Sequence, residues 1–243
     1  MCNLYSIRKG PAAILDLARA MRNDAGNLQP GDVYPDYAAP IVRSEANGDR
    51  ILTTARWGMP SSGKALFEKA ATRADKMRAK GKMIDHDAFA ELVKMEPDSG
   101  TTNVRNTTSA HWRRWLRPEH RCLVPFTAFS EPGRDAEGKY RPIWFRLAGD
   151  DPEPLAFFAG IHVRDYSCVR KMKTGLETCD LFAFLTTEPS EPVRSVHPKA
   201  MPVILTERSE LELWMTAPWE VAAELQRPLP DASLRRLESG DQS

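Results

Sequence analysis

Residues 41–57 read IVRSEANGDRILTTARW, and the fold is decided there. Two runs rich in apolar and β-branched residues, Ile41 to Ser44 and Arg50 to Trp57, flank Asn47-Gly48. That dipeptide is the strongest short-range hairpin signal, because a two-residue primed turn needs positive φ at both central positions. An antiparallel pair is therefore expected early in the chain. Working outward, similar short pieces follow at Arg121 to Val124, Pro142 to Leu147, Leu155 to Val163, Leu181 to Thr186 and Pro202 to Leu205. Each is aromatic or β-branched and bounded by Pro, Gly or Asp, as strands are. Helical spacing is confined to fewer places. Pro11 to Met21 carries Pro in the first turn and Ile14, Leu17, Ala18 and Met21 on one face. Ala65 to Lys80, Asp85 to Met95 with Asp85 as N-cap, Ser209 to Met215, and Trp219 to Gln226 opened by Pro218 complete the set. Strands outnumber helices and do not alternate with them, so the expected class is α+β, a mainly antiparallel barrel-like sheet with peripheral helices. The charged stretch 63–95 reads as a helical surface insertion in a single domain spanning 1–237, with 238–243 as a flexible tail.

At 243 residues the chain can bury a sizeable core, and its 42% hydrophobic and 28% charged content is that of a globular protein. No apolar run is long enough for a bilayer and the N-terminus lacks a signal-peptide core, so no membrane partner and a cytoplasmic location are expected. Cys2, Cys122, Cys168 and Cys179 form no C-x-x-C pair and no zinc spacing. Neither a metal nor another cofactor is expected, and the thiols should be reduced. The net charge of +1 lacks the strong basic bias of a nonspecific nucleic-acid binder, so any such site must be a local patch. The chain is read as a monomer.

The chemistry begins at Cys2. A small side chain after Met1 favours removal of the initiator, which leaves an α-amine with a pKa of roughly 8 beside a thiol of roughly 8.5. Both can attack one carbonyl, so an aldehyde gives an imine and then a five-membered thiazolidine. The bland alternative is chance occurrence at position 2. Between Asn103 and Arg121 lies NVRNTTSAHWRRWLRPEHR, with Arg105, Arg113, Arg114, Arg117 and Arg121 interleaved with Trp112 and Trp115. Arginine suits phosphate and a flat ring suits an unpaired base. An amphipathic helix with core-facing tryptophans and solvated arginines explains the same pattern equally well. Glu131 ends the apolar run in RCLVPFTAFSEP, where desolvation would make it an acid or base near neutrality; a plain surface glutamate is the other reading. His197, in SVHPKAMPVIL, is a catalytic or merely structural histidine.

Together these pieces resemble the SRAP family, the SOS response-associated peptidases that bind abasic sites in DNA. The resemblance rests on MC at the terminus, YAAP ending at Pro40, RWGMP at 56–60, NVR at 103–105, RCLVP…FSE ending at Glu131, FAG at 158–160, LTTE at 185–188 and VHPKAMPVIL at 196–205. It covers nearly the whole chain outside 63–95 and the tail. The resemblance implies an abasic-site processing protein that acts on single-stranded DNA, bound to the nucleoid when it meets damage, with self-removal of Met1. Cys2 would form the thiazolidine with the opened deoxyribose, Asn103 would orient Cys2, Glu131 would move protons at the amine, and His197 would assist ring opening. Pro40 would line the DNA groove, Arg105 and Lys199 would contact phosphate, and Thr186 would line the active site. This chain departs from the family pattern at Asn3-Leu4, Pro132, His197-Pro198-Lys199 and Ser61-Ser62, at DNA contacts more than in the catalytic set. Trp112, Trp115 or Arg113 is the expected compensation. Two other readings stay open: an N-terminal-nucleophile amidohydrolase of the glutamine amidotransferase type, and a noncatalytic nucleic-acid-binding module.

Overall fold

The computed structural model describes residues 2–134 and 138–237. In chain order the strands are β1 (Leu4–Ile7), β2 (Arg22–Asn23), β3 (Gly31–Val33), β4 (Ala38–Ser44), β5 (Arg50–Trp57), β6 (Asn103–Val104), β7 (Arg121–Phe126), β8 (Ala128–Arg134), β9 (Tyr140–Leu147), β10 (Ala156–Val169), β11 (Leu176–Thr187), β12 (Met201–Pro202), β13 (Ile204–Leu205) and β14 (Leu234–Arg236). The helices are α1 (Pro11–Ala18), α2 (Gly63–Arg78), α3 (His86–Lys94), α4 (Ala110–Arg113), α5 (Glu191–Arg194), α6 (Arg208–Thr216) and α7 (Trp219–Ala222). This is the α+β class expected.

One sheet runs in the order β14-β9-β8-β1-β3, and the other contains β11-β10-β7-β4-β5. The second closes on itself, because β5 also pairs with β11 in parallel, Arg56 with Leu181 and Trp57 with Phe182. The result is a closed, mixed barrel with helices around it. Its interior is aromatic: Phe126 and Phe158 stack with centroids 3.9 Å apart, and Tyr5 from the neighbouring sheet meets Trp57 edge-on at 5.1 Å. Each such fully buried ring contributes up to about 3 kcal/mol of transfer free energy. Gly160 is required at the barrel wall, since a Cβ there would lie 2.6 Å from Cys122 Sγ and 2.8 Å from Val124 Cγ2. No helix among the described residues is long and apolar enough to cross a membrane.

Several local expectations are corrected. The hairpin exists, but only Gly48 has positive φ, at 89°. Gly48 N–H donates to Glu45 O at 3.0 Å and Glu45 N–H to Asp49 O at 2.8 Å. The loop is thus an ordinary turn followed by a left-handed glycine, which needs one such residue where a primed turn needs two. Helix α1 stops at Ala18 because Arg19 adopts φ 51°, leaving Met21 77% exposed. Strands β10 and β11 extend well past their apolar cores through polar residues, with a bulge between Val163 and Tyr166. The expected strand at 202–205 is two short ones, and the last helix passes into a 3₁₀ turn, Ala223–Leu225. The insertion helices form as expected, α3 capped by Asp85 Oδ1 accepting from Ala88 N–H at 2.8 Å. The tail assigned to 238–243 lies outside the described residues.

Candidate functional site

The ladder of β1 on β8, Leu4 opposite Ser130, carries the N-terminal end of the chain to Glu131. Cys2 is wholly buried there, and its backbone N–H donates to the Glu131 carboxylate. The Cys2 carbonyl accepts from Asn103 Nδ2 at 2.7 Å, while the same amide group reaches Thr102 Oγ1 at 2.8 Å. Asn103 stands on β6, which joins the barrel beside Phe184 of β11. Two positions beyond Phe184, Thr186 of β11 is fully buried with its hydroxyl unpartnered among the described residues.

His197 arrives from the turn after α5, its N–H bonded to Val193 O at 2.7 Å. Gly133 lets this turn close on β8: a Cβ at 133 would lie 2.8 Å from Val196 Cγ1. His197 Nδ1 is 3.1 Å from Ala200 O and 3.6 Å from Glu131 Oε2. A carbonyl only accepts, so Nδ1 carries the proton of the neutral ring and Nε2 is left as the base.

Burial dominates the titration of this cluster. It pushes the Glu131 carboxyl up to about 7, against the hydrogen bond from Cys2 N–H that favours the carboxylate. Burial likewise raises the Cys2 thiol far above its usual range, with the Glu131 charge adding to it. His197 is lowered, first by burial and also by the Lys199 charge, against its bond to Ala200. At neutral pH the site therefore holds a thiol, a neutral imidazole and a carboxyl near its midpoint. Such a set can pass a proton between an amine, a departing oxygen and a sulfur.

The expected phosphate contacts fall at one rim. Arg105 and Lys199 are both exposed, and Arg105 Nη1 donates to Lys199 O at 3.5 Å. Pro40 is buried in β4 opposite Thr54. Trp112 and Arg113 lie on α4, Trp112 half-buried against the core and Arg113 exposed, and no hydrogen bond among the described residues ties either to the Cys2 cluster. Trp115 is core, 5% exposed, with the Arg114 guanidinium 4.3 Å above its ring. Arg121, read with the basic cluster, is instead wholly buried. Its guanidinium donates to Leu116 O, Trp214 O and Ala217 O at 2.7–2.8 Å and faces Trp214 and Trp219.

Gln226 is the contributor that the sequence did not announce. Its Nε2 donates to Arg105 O at 2.9 Å and Thr186 O at 3.0 Å, and its Oε1 accepts from Thr107 Oγ1 at 3.0 Å. It thereby locks the segment carrying Asn103 and Arg105 to the end of β11. A lone glutamine after a helix carries no sequence signal. Among the described residues no group of three His, Cys, Asp or Glu could hold a metal ion.

Solved structures show the same fold. A protein from Bordetella bronchiseptica is 23% identical, with a TM-score of 0.63 over 97% of this chain and 98% of its own. A Bacteroides thetaiotaomicron protein is 18% identical at 0.61, covering 97% and 90%. A phage-related protein from B. bronchiseptica is 13% identical at 0.60, covering 97% and 93%. No curated protein matches the chain significantly. The family model described as SOS response associated peptidase (SRAP) matches residues 1–239. With that match over nearly its full length, the chain belongs to the SRAP family, and a general role in abasic-site-associated DNA repair comes with it.

Proposed function

We propose that the protein, once Met1 is removed, joins Cys2 covalently to abasic sites in single-stranded DNA. The observation that carries this reading is the convergence on the Cys2 main chain: Asn103 holds its carbonyl at 2.7 Å while Glu131 receives its N–H. After loss of Met1 that nitrogen is the α-amine, already aimed at a proton-transfer group.

The steps balance without a cofactor. His197 Nε2 takes the C1′ hydroxyl proton and delivers it to O4′ as the C1′–O4′ bond breaks, giving an aldehyde and a free 4′-hydroxyl. The Cys2 amine attacks C1′; the resulting carbinolamine loses its oxygen as water, protonated by neutral Glu131, and an imine remains. The Cys2 sulfur then adds to C1′ while its proton passes through Glu131 to the nitrogen, closing the thiazolidine. A carboxyl titrating near 7 supports both proton transfers. Arg105 and Lys199 hold flanking phosphates, arginine with two parallel donors and lysine as a point charge. Removal of Met1 is hydrolysis at the same carboxyl: Glu131 takes a proton from a water that attacks the Met1 carbonyl carbon and passes it to the Cys2 nitrogen as the peptide bond breaks.

The test is a denaturing gel with intact mass after mixing the protein with single-stranded DNA bearing one abasic site. A heat-stable adduct, lighter by one water than its summed components and absent with undamaged DNA or Cys2→Ala, is expected. Noncovalent binding that survives Cys2→Ala and ignores the lesion would replace this reading with a plain nucleic-acid-binding module.

A further inference from the structure

Two tyrosines stand in water beside the site with no core to explain them. Tyr34 is 45% and Tyr37 61% exposed, and their rings lie 5.6 Å apart, tilted by 55°. The turn that displays them is held from several sides. Tyr37 N–H donates to Tyr34 O at 3.1 Å, Asp36 N–H to Trp57 O at 2.8 Å, and Trp57 N–H to Tyr37 O at 2.9 Å. Asp36 between them has φ 68°, a left-handed conformation uncommon outside glycine and, of the other residues, best tolerated by Asn and Asp. Its carboxylate lies 3.6 Å from Arg56 Nη1 and 3.7 Å from the buried Arg170 Nε. The two guanidiniums fix the turn and also cancel a charge that would repel phosphate.

This turn is keyed to the site along two routes. Strand β3 pairs with β1 up to Val33 opposite Tyr5, so Tyr34 lies one step further toward Cys2. On the other side Trp57, bonded to the turn, donates its Nε1 to Thr102 O at 3.0 Å, and the next residue is Asn103. The platform and the reactive terminus therefore share one rigid frame.

We infer that Tyr34 and Tyr37 form a stacking platform for the unpaired base next to the abasic nucleotide, an inference that rests on the function proposed above. An abasic nucleotide offers no ring of its own, so grip on the strand must come from phosphates and neighbouring bases. Every base has a flat face, so tyrosine stacking supplies affinity without sequence preference. A rigid pair also loses little side-chain freedom on binding.

The experiment measures equilibrium affinity with oligonucleotides carrying a central tetrahydrofuran, which has no aldehyde and cannot be crosslinked. One has natural flanking nucleotides; the other has tetrahydrofuran spacers there too. The wild type should bind the natural-flank strand roughly tenfold more tightly. Tyr34→Ala/Tyr37→Ala should abolish that ratio while leaving affinity for the spacer strand unchanged, and Tyr34→Phe/Tyr37→Phe should restore it. An alanine pair that keeps the wild-type ratio, or weakens both strands equally, overturns the platform. In parallel, wild type on a true abasic strand separates the two ideas: an adduct with an unaltered ratio sinks only the platform, and no adduct removes both.

Discussion

A carboxyl without water around it titrates late, and at Glu131 the shift from 4.5 to about 7 ties stability to pH. The neutral form is favoured in the fold, so the stabilisation is complete below about 4.5 and is lost as pH rises to about 7. The loss amounts to about 3 kcal/mol by pH 8. Chemical denaturation of Glu131→Gln should show no such decline, and the two stability curves should converge in acid. Adduct formation should also fall above pH 7 in the wild type as the acid is lost, and Glu131→Gln should lack that limb. Asn103→Ala should slow adduct formation about tenfold or more by freeing the Cys2 carbonyl, read from single-turnover gels. At this scale much was legible: Cys2 from its two nucleophiles, Glu131 from its apolar flank. Asn103 and His197 became readable only through resemblance, because nothing local marks them. Gln226 was illegible, since its meaning lies in bonds to residues 121 and 40 positions away. Arg121 was misread because a basic residue in a basic run looks solvated, whereas carbonyls and two indoles enclose it.

Elements follow local chemistry more closely than residues do. The 41–57 hairpin was readable from apolar runs around a glycine, although the turn type was not, because Asn47 takes an ordinary φ once Gly48 absorbs the reversal. Gly48→Ala, with open space around its Cβ, should cost only the φ penalty of about 1 kcal/mol, a Tm drop of about 2–4 °C by calorimetry. At α3 the loss of the cap in Asp85→Ala should speed amide exchange over 88–94 by roughly fivefold. Exchange in the barrel strands should not change. The stretch 103–121 fits the amphipathic-helix reading only in part, with Trp115 in the core and Arg113, Arg114 and Arg117 exposed. Pro118 and a short α4 break the amphipathic helix, and of its two tryptophans one is core and the other half-buried.

For the molecule as a whole, strand count and order revealed an antiparallel, barrel-like class. Closure was invisible. It depends on a parallel ladder between β5 and β11, and no pattern within either strand names the other. Nor does a pattern reveal Arg170, 1% exposed at its side chain, which ties the end of the insertion to the barrel through Asp98 O at 3.0 Å, Gly58 O and Asp36. Arg170→Ala strands those buried acceptors and should cost about 3–5 kcal/mol, measured as a denaturant midpoint shift with unchanged slope. The closing ladder also sets a schedule. Arg56 waits for Leu181, and Cys2, made first, waits for Asn103, Glu131 and His197. Ribosomes add about 5–20 residues per second, so for on the order of ten seconds of synthesis the N-terminal segment trails free of its pocket. On the proposed function, self-removal of Met1 has to wait out that interval, because the Glu131 carboxyl reaches the Cys2 nitrogen only once β8 has paired with β1.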